Sequence, residues 1–280
     1  MTVAVVTDST SYLPPGAAAR TGVEVVALRV TVGERTGVDG IEVSSADVTK
    51  ALRDRVSVTT SRPAPAEFAA AYQAALDAGA SNIVSVHVSA ALSGTWESAR
   101  LAAQDFGFGT VRVVDSRSTG MALGFAVLAA AQAAMDGATA AAVQDAAVAT
   151  AERTFTTFYV DSFEYLRRGG RVGTATALLG TSLSVKPLLH VANGEIQLLE
   201  KVRTSTKALA RLLQRTVEAA GDSPIDIAVH HLDAGQRADD LAGKLRAALP
   251  RLERLYISEV GAVLGAHLGP GALGTVVVRR

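Results

Sequence analysis

The side chains with most to offer chemically fall in short polar stretches that follow apolar runs. Ser89-Ala90-Ala91-Leu92-Ser93-Gly94-Thr95 comes after the strand-like run 82–88 and opens a helical pattern. A helix starting there leaves the backbone N–H groups near Gly94 and Thr95 without intrahelical partners, and their dipole favours an anion. Ser93 adds a hydroxyl beside them. The same pattern also serves as an ordinary helix cap. Thr60 and Ser61, held by Pro63, form a second hydroxyl pair, in a setting that equally suits a polar turn. Arg167-Arg168-Gly169-Gly170-Arg171 sets three guanidiniums and two glycines in five residues. Guanidiniums make bidentate contacts to carboxylate, phosphate or a protein partner, although a solvated basic turn has the same composition. His267 stands in a stretch, 259–274, that carries five glycines. Read as a Gly/Pro loop, that stretch makes His267 a candidate for ligand contact. His230 and His231 end a strand, and His87 and His190 are strand residues; these four read as structural.

Something must position these groups, and the apolar pattern says what. Short strands alternate with helices: strand 3–6, strand 23–32, a helix started by Ser44, a polar loop 59–63, helix 66–78, strand 82–88, helix 96–103 and strand 111–114. That alternation predicts an α/β fold whose N-terminal domain, 1–155, is a mostly parallel, doubly wound sheet. Loops at the carboxyl ends of such strands converge on one crevice, so the Ser93 loop and the Thr60–Ser61 loop are expected to share a ligand. After the Ala-rich helices of 120–153 the pattern changes. Strands near 155–160, 190–192, 195–201, 226–231, 254–259 and 275–278, with an Asn193-Gly194 hairpin turn, predict a C-terminal α/β domain, 156–280, whose sheet is mixed or antiparallel.

Composition removes several function classes. Lys+Arg and Asp+Glu are both 27, so the electrostatic case for nucleic-acid binding is missing. The absence of cysteine rules out disulfides and thiolate metal sites. No P-loop or G-x-G-x-x-G fingerprint follows a strand. No cofactor and no metal is therefore expected. The start of the chain lacks a basic region before its short apolar run, so a cytoplasmic location is the default. The stretch 120–135 is too short to span a bilayer and reads as a buried helix.

Taken in order, VVTDSTSYLP, TTSRPAP, SAALSGTWESA, VVDSRSTGMALG, VDSFEYLRRGGRVG, KPLL with NGEI, KVRT with KAL, and EVGAVLGAHLGPGALG resemble the DegV family of bacterial lipid-binding proteins along nearly the whole chain. The resemblance implies a two-domain fold holding one long-chain fatty acid between the domains. It implies that the hydroxyls of Ser93 and of Thr60 or Ser61, with the Gly94 amide, hold the carboxylate, and that Arg203 and His267 lie near it. It also implies that Arg171, with Arg168, engages a partner, the catalytic subunit of a fatty acid kinase, while the lipid carrier itself is not an enzyme. Arg62 where Gln is commoner, Trp96 where Tyr is usual and Phe163 where Leu is usual are the departures.

Physical chemistry sets demands on such a carrier. A palmitoyl-length chain has roughly 14 methylenes, which at about 0.8 kcal/mol each are worth on the order of 11 kcal/mol out of water. A carrier that collects lipid by transient membrane contact must match much of that, which calls for a buried tunnel. The carboxylate needs donors at its mouth, because an unpaired buried charge is too costly. The main rival is a serine hydrolase acting on a lipid ester, with Ser93 as nucleophile, His267 as base and Asp115 or Asp8 orienting it. Ser93 lacks the G-x-S-x-G elbow that such enzymes use.

Overall fold

The computed structural model describes residues 2–172 and 186–280. The chain runs β1 (Val3–Asp8), α1 (Ala17–Thr21), β2 (Glu24–Val26), β3 (Arg29–Val32), β4 (Arg35–Val38), α2 (Ser45–Arg53), β5 (Val58–Ser61), α3 (Pro65–Asp77) and β6 (Asn82–His87). It continues through α4 (Thr95–Ala103), β7 (Val111–Asp115), α5 (Met121–Met135), α6 (Ala140–Glu152), β8 (Thr154–Tyr159) and α7 (Glu164–Arg168). The remaining elements are β9 (Lys186–Ala192), β10 (Glu195–Val202), α8 (Ser205–Ala220), β11 (Ile225–His231), α9 (Gly235–Ala248), β12 (Leu252–Glu259), α10 (Ala262–Leu268) and β13 (Leu273–Arg279). Among the described residues the chain forms two compact units, 1–29 with 61–153 and 30–60 with 154–280.

The first unit is a doubly wound sheet of order β2-β1-β6-β7, parallel throughout. Period-2 alternation sends Val3 and Val5 of β1, with Val84 and Val86 of β6, into a layer containing Leu123 and Val127 of α5 and Val143 and Ala147 of α6. Val6 and Ile83 point the other way, onto Phe68 and Tyr72 of α3 and Ala99 and Ala102 of α4. Strands buried on both faces are what apolar runs such as Val3–Val6 call for. The apolar stretch 120–135 is the helix α5, with Met121–Val127 all buried, and no described helix is long and apolar enough to cross a membrane.

The second unit holds a sheet of order β10-β9-β8-β13-β11-β12, antiparallel except between β11 and β12. Helices α8 and α9 pack their apolar stripes, including Leu212, Leu241 and Leu245, against Leu188, Ile227, Val229 and Val277. Asn193 and Gly194, at φ 53° and 83°, make the tight turn between β9 and β10.

Three readings of the sequence need correction. Residues 30–60 pack with 154–280 and not with the N-terminal half, so two contiguous domains meeting at 155 do not describe the contacts. The cause is local: Val48 of α2 is buried, and a Cβ on Gly265 of α10 would stand 3.6 Å from it, while the buried Asp39 carboxylate accepts from Val263 N at 3.3 Å. The expected strand 23–32 is broken into β2 and β3, which join different sheets, at the point where Leu28 N donates to Ser9 Oγ at 3.2 Å. The expected loop 59–63 begins as β5, in a sheet of order β4-β3-β5.

Candidate functional site

In the first unit the chain leaves β6 through a turn built on Ser89. Ser89 N donates to Ser118 O, and Ser89 O accepts from Leu92 N and Ser93 N at 3.0 Å each. That folds Ser93 back over the start of α4, where its Oγ bonds Thr95 Oγ1 at 2.9 Å and accepts from Thr95 N at 3.3 Å. The cap bond is long for N–H···O, and Gly94, the N-cap, has no side-chain cap bond of its own. Ser93 and Gly94 are half-buried, and Ser61, also in this unit, is exposed at the end of β5. Beside Gly94 lies Arg62, which motif reading did not select: a Cβ at 94 would stand 3.0 Å from the guanidinium carbon.

In the second unit Thr60 and His267 are partners. Thr60 Oγ1 and His267 Nε2 are 2.9 Å apart, 207 residues apart in sequence. His267 is not in a loop, as its glycine-rich surroundings suggested, but on α10; Ala262, Val263, Gly265 and Ala266 bury one face of that short helix. The ring sits on Gly169, where a Cβ would stand 2.9 Å from Cε1. Burial first, and the Arg171 charge second, push the His267 pKa down to about 4, so the ring is neutral at pH 7. Nδ1 is buried and unpaired among the described residues. Between them the two side chains carry one N–H and one O–H, and their mutual bond uses one of these. If Thr60 donates, Nδ1–H is spare; if Nε2–H donates, the Thr60 hydroxyl is spare. Either tautomer therefore leaves a donor for an incoming acceptor, without a net charge.

The other predicted residues of this unit are not brought into that pair. Arg203 is exposed between β10 and α8. Arg167 and Arg168 belong to α7 and not to a loop, and both bond Glu164, Arg167 through two bonds of 2.8 and 2.6 Å and Arg168 at 2.7 Å. These bonds hold the Glu164 pKa down to about 2. Arg171 lies just beyond, donating to Gly169 O at 2.6 Å. Only the last residue of the VDSFEYLRRGGRVG motif, Gly173, lies outside the described residues.

Both carboxylates named for the hydrolase arrangement have other partners. Asp115 accepts from Ala90 N and Arg117 N, capping its own turn. Asp8 accepts from Thr10 N at 3.0 Å and Val88 N at 2.9 Å, and its carboxylate faces His87 Nδ1 at 3.1 Å. His87 Nε2 in turn meets Ser85 Oγ at 2.6 Å, and Tyr72 OH donates to that same oxygen at 2.8 Å. This relay is fully buried, and burial is the leading cause that raises the Tyr72 phenol well above its ordinary value. Sequence reading placed Asp8 at a strand tip and His87 in a strand; only strand order, β1 beside β6, puts them in contact. A cavity of about 300 Å³ in the second unit is lined by Thr49, Lys50, Arg53, Asp54, Asp233 and Glu259, too charged a wall for an acyl chain.

Residues 2–280 match the model of the DegV family, described as a family of uncharacterised proteins. A DegV domain-containing protein of Streptomyces coelicolor is 51% identical over 278 residues, covering 99% of each chain. Two solved structures covering 100% of both chains are each 33% identical: a fatty-acid-binding DegV family protein from Thermus thermophilus, with TM-score 0.95, and DegV, a fatty acid binding protein from Bacillus subtilis, with TM-score 0.91.

Proposed function

The chain belongs to the DegV family, and from that premise we propose that it binds one long-chain fatty acid and presents its carboxylate to a partner kinase in the cytoplasm, where phosphoryl transfer from ATP makes an acyl phosphate. The carrier itself supplies no catalytic group. Ser93, Gly94, Thr60 or Ser61, and His267 are the proposed head-group contacts, with Arg203 nearby; Arg171 and Arg168 are the proposed partner contacts.

The observation that carries this reading is the Thr60–His267 pair, a neutral, half-buried hydrogen-bonding unit with one donor to spare. A carboxylate satisfies that donor. Neutral donors suit a carrier that must surrender its ligand's oxygen to a phosphoryl donor, since no permanent ion pair has to be broken.

Titration of delipidated protein with palmitate tests it. Thr60→Val keeps the side-chain shape and removes the hydroxyl, so it is expected to weaken binding about tenfold or more, the worth of one hydrogen bond to a charged group at about 1.5–3 kcal/mol. Ser93→Ala is expected to do the same. Wild-type affinity in both variants contradicts the head-group assignment. Arg171→Ala is expected to leave palmitate binding intact while slowing acyl-phosphate formation by added kinase and ATP; loss of lipid from this variant breaks the proposed separation of the two surfaces.

A further inference from the structure

We propose that Arg62 is the specificity-determining cation of the head-group site, favouring an ionised head group over a neutral lipid of the same chain length; this rests on the lipid-carrier reading above. Arg62 follows β5 directly and precedes the buried Pro63, whose ring fixes the local backbone. Its side chain occupies the space that a side chain at 94 would fill, with Cδ 2.9 Å and Cζ 3.0 Å from the position of a Cβ there. It therefore lies against the backbone of the residue that opens α4.

The Arg62 charge is uncommitted. The carboxylate whose field it feels is Glu97, but both Glu97 oxygens are bonded to Arg100, at 2.9 and 2.7 Å. Among the described residues Arg62 makes no hydrogen bond or ion pair, whereas Arg29 is paired with Glu67 at 2.8 Å. An unpaired guanidinium packed on a bare glycine at a helix start is a ready partner for an anion arriving at the Gly94 amide.

The consequence is chemical discrimination. Hydroxyl and amide donors bond either a carboxylate or an alcohol, the carboxylate more strongly, so they discriminate by charge only in part. A guanidinium adds Coulomb attraction only for the anion. Because Arg62 is exposed, solvent screens that attraction, which sets its effect at about fivefold rather than hundredfold, and salt weakens it further.

The test compares palmitate with hexadecanol, titrated into delipidated full-length wild type, Arg62→Gln and Arg62→Lys at low and high salt. The expected result is that Arg62→Gln loses about fivefold for palmitate at low salt and nothing for hexadecanol, that Arg62→Lys recovers part of the loss, and that the salt dependence of palmitate binding flattens in Arg62→Gln. Equal changes for both ligands, or none for either, overturn the proposal. If the wild type binds neither lipid, the carrier reading itself fails and this inference falls with it.

Discussion

His267 is neutral because it is buried, and that has a cost that pH reveals. Its pKa, and that of the fully buried His230, lies at about 4, below the ordinary 6.5. Between those values the unfolded chain binds protons that the folded chain refuses, so stability rises with pH across that window. The contribution is whole above pH 6.5, is lost as pH falls towards 4, and levels off below. Going from pH 7 to pH 5 costs about 2 kcal/mol for a fully buried histidine and less for the half-buried His267. Urea unfolding at the two pH values is expected to show this loss, and His267→Asn to show less of it; an unchanged pH dependence in the variant contradicts the buried-neutral state. At this scale the sequence was informative about which residues matter and poor about their settings. Ser93, Thr60 and His267 stand out by motif, but the glycines around His267 hid its helix, and the approach of Arg62 to Gly94 depends on a missing Cβ that no pattern announces.

Among the elements, the strand-end loops hold their shape through a buried carboxylate. Asp8 ties the turn after β1 to the loop after β6 through Thr10 N and Val88 N, and it fixes His87 as a donor at Nδ1. With Nδ1 donating to Asp8 in the neutral ring, Nε2 accepts from the Ser85 hydroxyl, whose oxygen in turn accepts from Tyr72 OH. Asp8→Ala strands these donors where no water reaches them. A loss of about 3 kcal/mol or more in urea unfolding is expected, while a loss below about 1 kcal/mol shows that the relay contributes little. Element types were largely readable. Ser44 accepts from Asp47 N while Asp47 accepts from Ser44 N, so the helix start read at Ser44 is a full capping box, and the Asn193-Gly194 turn has the positive φ angles that its residues favour. The strand β5 was missed because its residues are polar and only alternately exposed, and α7 because arginines beside glycines read as a turn.

For the whole molecule, the parallel sheet of one unit and the mixed sheet of the other were both foreseen, because strands that alternate with helices and strands joined by an Asn-Gly hairpin write different patterns. The membership of residues 30–60 was not foreseen. No change of composition marks position 30 or position 60, and the contacts that decide it, Val48 near Gly265 and Asp39 on Val263, join residues more than 200 apart. The central claim, one fatty acid per chain, belongs to this scale too. Mass spectrometry of the purified protein under native and then denaturing conditions tests it most directly. The account expects the native species to exceed the chain mass by one fatty acid, released on denaturation; protein that stays empty even after incubation with palmitate contradicts it.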